Sequence, residues 1–285
     1  MNDRPNDIDC AADGTCEWLL RHKTYRDWMS ANRGLLWLKG KPGSGKSTLL
    51  KYALRRAQAT HDGGTLFLAF FFHGRGDELQ KTPEGLFRSL LHQALGLAPD
   101  ALPDLVETFE KRRKEIGEPG EKWKWRQAEL RLFFESSLPK VLKNRPVWLF
   151  IDALDECGEK NAVDLVDEFK SLLQRLPHTD FQFRICFTCR HYPILNLDYG
   201  WEICIDHENT QDISAYVQAQ LSSWTALIQA TIRAAIVTRA SGVFMWELVI
   251  ERVRGLEHRG ESWKKIEAEI NAIPPDIDDL YRELV

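Results

Sequence analysis

The sequence predicts an α/β fold: a parallel β-sheet with covering helices, followed by a smaller all-helical region. Three observations predict it. Strand-like apolar runs alternate with helical stretches from residue 34 to residue 205, the pattern of parallel strands joined by crossover helices. A glycine-rich turn ending in Gly45-Lys46-Ser47 lies between the first strand and the next helix. Beyond Asn209 no strand-like run occurs, and helical stretches follow one another.

Along the chain, Cys16 to Met29 is read as one helix, because Trp18, Leu19, Tyr25, Trp28 and Met29 recur at roughly helical spacing, with Thr15 as its N-cap. Gly34 to Gly40 is a short apolar run bounded by glycines, read as the first strand, and Ser47 to Ala59 is helical. Thr65 to Phe72 is apolar throughout and predicts a second strand buried on both faces. Thr82 to Leu97 reads as a helix with Pro83 in its first turn and Leu86, Phe87, Leu90, Leu91 and Leu95 on one side.

From Glu107 to Arg126 the chain is charged and interrupted by glycine and proline, and reads as solvated linker. A helix from Gln127 to Leu142, a strand from Val147 to Ile151 and an amphipathic helix from Val163 to Leu176 follow. Strands at Phe183–Thr188 and Trp201–Ile205 complete the sheet. Helical stretches then occupy 211–221, 225–240, 243–257, 262–271 and 276–284, with Pro274-Pro275 breaking the last two apart. This divides the chain into an N-terminal helical segment at 1–32, a phosphate-binding domain at 33–208 and a helical domain at 209–285.

Composition narrows the classes. A chain of 285 residues suggests about two domains. The net charge of −4 supplies no basic field for nucleic acid or an anionic membrane, so neither is expected as a partner. The longest apolar run, Leu66 to Phe72, is far below the ~18 residues of a membrane span, and the first ten residues lack the apolar core of a secretory signal. Cys186 and Cys189 form a C-x-x-C pair, but on a strand residues three apart face opposite sides. They read as reduced core thiols, in keeping with a cytoplasmic protein.

The chemistry lies in Gly40-Lys41-Pro42-Gly43-Ser44-Gly45-Lys46-Ser47-Thr48, a full G-x-x-x-x-G-K-[ST] match. Glycines let the backbone turn its N–H groups inward around a phosphate without a Cβ in the way. Lys46 supplies a charge to the β- and γ-phosphates, Ser47 a hydroxyl to Mg²⁺, and the following helix its positive dipole end. The complementary acid is Asp152, at the end of the apolar run Val147 to Ile151, where burial is costly unless the carboxylate meets a cation such as Mg²⁺. Asp155 and Glu156 follow closely, and a carboxylate there can orient or deprotonate an attacking water. Arg190 lies at the end of the fourth strand, where a parallel sheet gathers its ligand contacts, and can stabilise the γ-phosphate. The basic and aromatic residues of Lys111–Lys114 and Trp123–Arg126 are diluted by Glu115, Glu118 and Glu121, which favours a linker over a single-strand-binding platform.

The segments GTCEWLL (14–20), GLLWLKGKPGSGKSTLL (34–50), FFFHGRGDELQKTPEGLFRSLLHQAL (70–95), VWLFIDALDEC (147–157), FTCR (187–190), DISAYV (212–217), ASGVFMWELVIERV (240–253) and IPPDIDDLYREL (273–284) together carry a resemblance. On them the chain resembles the NACHT-type P-loop ATPases of the signal-transducing STAND class, within them the nephrocystin-like N-terminal subgroup found in fungal NOD-like receptors. The resemblance implies a five-stranded sheet in the order 5-1-4-3-2, with a small helical domain closing over the nucleotide. By it, Lys46 and Ser47 are Walker A residues, Asp152 the Mg²⁺-site acid and Glu156 the water-positioning acid. Arg190 becomes a sensor arginine, and Thr15 lies in the segment lining the adenine pocket. The implied role is a cytoplasmic switch that rests with ADP, exchanges it for ATP and forms a homo-oligomer to trigger an immunity or incompatibility response. Relatives carry effector and repeat domains on either side of this region, and such domains or separate protein partners would complete the response. At Gly242-Val243-Phe244 the chain departs from a glycine-x-proline pattern, with Phe244 where proline would meet adenine.

Two other classes compete. A small-molecule P-loop kinase would want an arginine-rich lid and an acceptor pocket after the second strand, and the sequence offers a helical C-terminal region instead. An interaction module could bind nucleotide without turnover. A Ras-like GTPase is excluded, since Lys143-Asn144-Arg145 does not supply the [NT]-K-x-D base reader.

Overall fold

The computed structural model of the chain describes residues 4–61, 63–176, 181–193, 195, 200–220, 253–256 and 258–272. They fall into two compact units, one of Met1–Cys10, His22–Lys39 and Ser47–Ile203, the other of Ala11–Arg21, Gly40–Lys46 and Cys204–Val285. In chain order the elements are α1 (Arg4–Asp7), α2 (Trp18–Arg21), α3 (Lys23–Ser30), β1 (Arg33–Lys39), α4 (Lys46–Thr60), β2 (Leu66–Phe71), α5 (Pro83–Leu97) and α6 (Pro103–Glu115). Then come α7 (Gln127–Val141), β3 (Val147–Asp152), α8 (Glu159–Arg175), β4 (Phe183–Cys189), β5 (Trp201–Cys204), α9 (Ile205–Glu208), α10 (Thr210–Gln220) and α11 (Trp263–Ala272).

The sheet has five strands in the order β5-β1-β4-β3-β2, the 5-1-4-3-2 arrangement that the resemblance implies. β4 pairs in parallel with β1 on one side and β3 on the other, so that Phe183 stands opposite both Arg33 and Val147. β3 in turn pairs in parallel with β2, Ala69 opposite Phe150. Every residue of β3 and of β4 is buried, as unbroken apolar runs covered on both faces require. Cys186 and Cys189 are buried within β4 and neither forms a disulfide.

Arg184 is the charged exception inside β4. Its Nε donates to Ala31 O at 2.9 Å and its guanidinium lies 4.6 Å from the Trp148 ring centroid. Burial pushes its pKa down to about 10, because the charged form loses hydration, against a smaller opposing effect of Tyr25. Trp148 is fully buried among Trp28, His61, Phe67 and Phe150, with ring centroids 4.6–6.5 Å away. Its indole N–H has no hydrogen-bond partner among the described residues. The N-terminal segment is held by Lys51 of α4, whose Nζ donates to Pro5 O (2.7 Å) and Ile8 O (2.5 Å).

The structure departs from the sequence reading in several places. β2 is half-exposed at Phe67 and Ala69, so it is not buried on both faces. It is one of the two edge strands, and the outward N–H and C=O of Ala69 are paired by the Gln93 side-chain amide of α5, at 3.0 and 2.8 Å. The single helix expected over Cys16–Met29 is two, broken at the extended residue His22. Thr15 is not its cap: its hydroxyl donates to Ala12 O at 2.7 Å, and Cys16 follows at φ +66 before α2 begins at Trp18. The linker expected over 107–126 is helical up to Glu115, with Pro103 in the first turn of α6. Nor is its second half solvated linker: the Arg112 guanidinium lies 5.3 Å from the Trp123 ring and 4.9 Å from the Trp125 ring. Arg112 also pairs with Glu129 of α7, holding that carboxyl below its ordinary range through the hydrogen bond. α8 begins a turn before Val163, because its first turn, Glu159-Lys160-Asn161, is polar and carries no apolar period.

In the other unit, Arg254 donates to Gln220 O at 2.6 Å, and α11 covers the stretch expected at 262–271. The helices expected at 225–240 and 276–284, and Gly242-Val243-Phe244, lie outside the described residues.

Trp148→Ala is expected to lower stability by ~3–5 kcal/mol through the cavity left among four aromatic neighbours. Trp148→Phe keeps most of the ring volume and removes the unpaired N–H, so its cost is expected below about 1.5 kcal/mol. Urea midpoints of the two variants check this. A Phe variant as unstable as the Ala variant would contradict it.

Candidate functional site

The turn from β1 to α4 occupies residues 40–45 and closes on itself. Gly43 and Gly45 have φ of +71 and +83, left-handed values that an L side chain rarely adopts. Gly40 is fixed by space instead, since a Cβ there would lie 2.5 Å from Ser44 Oγ and 2.9 Å from Asp206 Oδ1. Ser44 N donates to Lys41 O at 3.2 Å. Lys46 folds back over the turn, its Nζ donating to Gly40 O (2.8 Å) and Lys41 O (2.6 Å). Pro42 and Gly43 are exposed at its tip, and Ser47 and Thr48 are half-buried in the first turn of α4.

Among the described residues the buried Ser44 hydroxyl has no hydrogen-bond partner. The loop belongs to the same unit as α9, and two side chains of that stretch hold its main chain. Asp206 accepts from Lys41 N at 3.0 and 3.3 Å through its two oxygens, and Asn209 Nδ2 donates to Ser44 O at 3.0 Å. Left-handed glycines, a mobile ammonium and a helix N-terminus fit a phosphate group.

In the sheet unit the strand ends carry the acids. Asp152 closes β3 and is 1% exposed. Thr188 of β4 donates its hydroxyl to Asp152 Oδ1 at 2.6 Å and accepts from Ala153 N at 2.7 Å, across the left-handed turn at Ala153, φ +51. One hydroxyl thus fixes both the carboxylate and the backbone that leaves the strand. A hard carboxylate oxygen is a donor of the type that Mg²⁺ takes from protein.

The two acids that follow have different neighbours. Asp155 pairs with Arg190, Oδ2 to Nε at 3.0 Å and Oδ1 to the Arg190 backbone N at 3.1 Å. Glu156 instead accepts from Gly74 N in the loop after β2, at 2.5 Å. Asp155 and Arg190 are therefore brought together, and Glu156 is set apart from them.

Thr15 lies buried in a segment tied to α10. The Cys16 N–H (2.7 Å) and Trp18 Nε1 (2.9 Å) both donate to Asp212 Oδ2. Burial raises the Asp212 carboxyl above its ordinary pKa, the two hydrogen bonds acting against it, and pushes the Cys16 thiol up to about 12. Asp206, Asn209, Asp212 and Thr188 were not singled out as site residues by sequence reasoning. Polar residues three apart just after the last strand were the available signal for the first three.

Over 287 aligned residues the chain is 24% identical to the vegetative incompatibility protein HET-E-1 of Podospora anserina, covering 94% of this chain. The chain spans only 20% of that relative's length. Among solved structures it is similar to a Walker-type ATPase of Pyrococcus abyssi, with TM-score 0.39, 14% identity and coverage of 88% of this chain and 77% of that one. It is also similar to PCH-2 of C. elegans, with TM-score 0.36, 12% identity and coverage of 94% and 66%. Residues 14–190 match the family described as nephrocystin 3, N-terminal. Since that match takes in more than half of the chain, including the whole β1–loop–α4 unit and both strand-end acids, the chain belongs to this family of NACHT-like P-loop NTPases.

Proposed function

We propose that the chain is an adenine-nucleotide switch, binding ATP or ADP with Mg²⁺, hydrolysing ATP slowly and controlling homo-oligomerisation. The observation that carries the proposal is the closed turn at 40–46, with its two left-handed glycines, a buried Ser44 hydroxyl that has no hydrogen-bond partner among the described residues, and Lys46 folded onto the carbonyls of Gly40 and Lys41. Gly40, Gly43 and Gly45 shape the turn, Lys46 neutralises the β- and γ-phosphates, and Thr48 continues the helix that aims its N-terminus at them. Ser47 and Asp152 would hold Mg²⁺, which supplies charge neutralisation on the phosphates when bound. Asp152 is kept in place for this by Thr188.

Glu156 orients the water. In its present position it is engaged by Gly74 N, and Lys46 by loop carbonyls, an arrangement that suits a resting state with low turnover. Asp155 acts through Arg190, which meets the γ-phosphate as a sensor. The Thr15 segment reads the adenine. By similarity to a vegetative incompatibility protein, the response is of the incompatibility or immunity kind, in the cytoplasm, completed by protein partners or adjoining effector and repeat domains. No helix among the described residues is long and apolar enough to cross a membrane.

In calorimetry and thermal shift with ATP, ADP and GTP plus Mg²⁺, adenine nucleotides are expected to stabilise the chain by ~2.7 kcal/mol at 100 times Kd. Lys46→Ala should lose both binding and stabilisation, and binding that survives the change would refute the assignment. Glu156→Gln should keep nucleotide binding while single-turnover hydrolysis falls by about 10²–10⁴-fold. A wild type that binds but never turns over would favour the non-hydrolysing module. If Asp155 works through Arg190, Asp155→Asn and Arg190→Ala should each slow turnover while the double variant is no slower than Arg190→Ala. Multiplying losses would mean that Asp155 acts independently.

A further inference from the structure

Three side chains on the stretch after β5 touch the two backbone segments that would flank a nucleotide within their own unit. Asp206, Asn209 and Asp212 are spaced three apart along α9 and α10, with Asn209 between the helices at φ −90, ψ 6. A spacing of three keeps successive residues on one side of a helical path. Asp206 takes the Lys41 N–H through both oxygens, and Asn209, 1% exposed, donates to Ser44 O. Asp212, also buried, takes the Cys16 N–H and the Trp18 indole N–H.

Lys41 links the first of these contacts to chemistry. Its N–H is held by Asp206 and its carbonyl accepts from Lys46 Nζ at 2.6 Å, so the carboxylate fixes the peptide against which the phosphate-binding ammonium rests. Asp206 also fills the space in front of Gly40, where a Cβ would meet it at 2.9 Å. Electrostatically an acid is the wrong residue here, since its negative charge opposes an arriving phosphate. A loop selected only for anion affinity would not place a carboxylate on its own main chain. The geometry that it imposes is the gain, and the opposing charge is the cost.

We infer that Asp206 and Asn209 are positioning residues for the phosphate loop, and that Asp212 positions the Thr15–Trp18 segment, so that one helical stretch sets phosphate and base recognition through separate contacts. The inference rests on the nucleotide-switch reading above. On it, the charge and the hydrogen bond of Asp206 have opposite effects. Asp206→Asn keeps an acceptor for Lys41 N and removes the repulsion, so pyrophosphate and nucleotide bind tighter, by about threefold or more. Asp206→Ala removes the hold as well, and binding weakens by about tenfold. A gain when the charge alone is removed, set against a loss when the acceptor goes too, is what a positioning acid shows and a merely nearby charge does not.

The test is calorimetry of the whole chain with pyrophosphate, ATP and GTP in Mg²⁺, on wild type and on Asp206→Asn, Asp206→Ala, Asn209→Ala, Asp212→Asn and Asp212→Ala. Expected are tighter pyrophosphate binding by Asp206→Asn, and weaker binding of all three ligands by Asp206→Ala and Asn209→Ala at an unchanged ATP-to-GTP ratio. Asp212→Ala should lower that ratio with pyrophosphate affinity within about twofold of wild type, and Asp212→Asn, which keeps the acceptor, should restore it. Uniform loss for every ligand in proportion to the fall in Tm would overturn the inference and leave only a structural role. If the alanine variants fail to fold, the asparagine pair decides: Asp206→Asn without a gain in pyrophosphate affinity also overturns it. A wild type that binds none of the three ligands refutes the nucleotide reading itself, and the inference falls with it.

Discussion

The sheet unit depends on one strand that can face water nowhere. β4 is flanked by β1 and β3 in parallel pairing and all of its residues are buried, so both edges of its backbone are satisfied by neighbours and both faces by helices. A strand so enclosed has to end where its last side chains can find polar partners, and that end is where the polar side chains collect. Thr188 serves the requirement twice, as donor to Asp152 and acceptor from Ala153 N. The next exposed residue, Arg190, is met at once by Asp155. A buried carboxylate and an arginine at neighbouring strand ends are thus direct results of where the enclosed sheet lets its chain emerge.

The parts legible in the sequence were those whose cause is local. Glycines at 43 and 45 announce left-handed turns, Pro83 with Thr82 announces the start of α5, and the runs over β3 and β4 announce burial on both faces. The phosphate loop was legible for the same reason: its residue types follow from backbone geometry. The parts not legible have causes elsewhere in the chain. The edge position of β2 leaves Phe67 and Ala69 partly open, although their neighbours in sequence are as apolar as those of β4. The 117–125 stretch looks solvated until Arg112 is seen between two tryptophans.

Side-chain partnership was less legible than position. Asp155 and Glu156 are adjacent and chemically alike, and only the fold separates them, one onto an arginine and the other onto a glycine N–H. Asp206 and Asn209 lie some 165 residues beyond the loop that they hold, and Asp212 lies 196 beyond Cys16. No window of sequence contains such pairs. Their types were visible, but their purpose is a property of the closed chain.

Gln93 shows how the exposed margin of the sheet is treated. Its amide presents a donor and an acceptor to Ala69 in the arrangement a further strand would use. The outer rim of β2 is therefore already occupied at its middle by a side chain from the chain's own α5. An extended peptide or a strand of another copy pairing at Ala69 would have to displace that amide. Such a margin also guards against the irreversible stacking to which bare strands are prone.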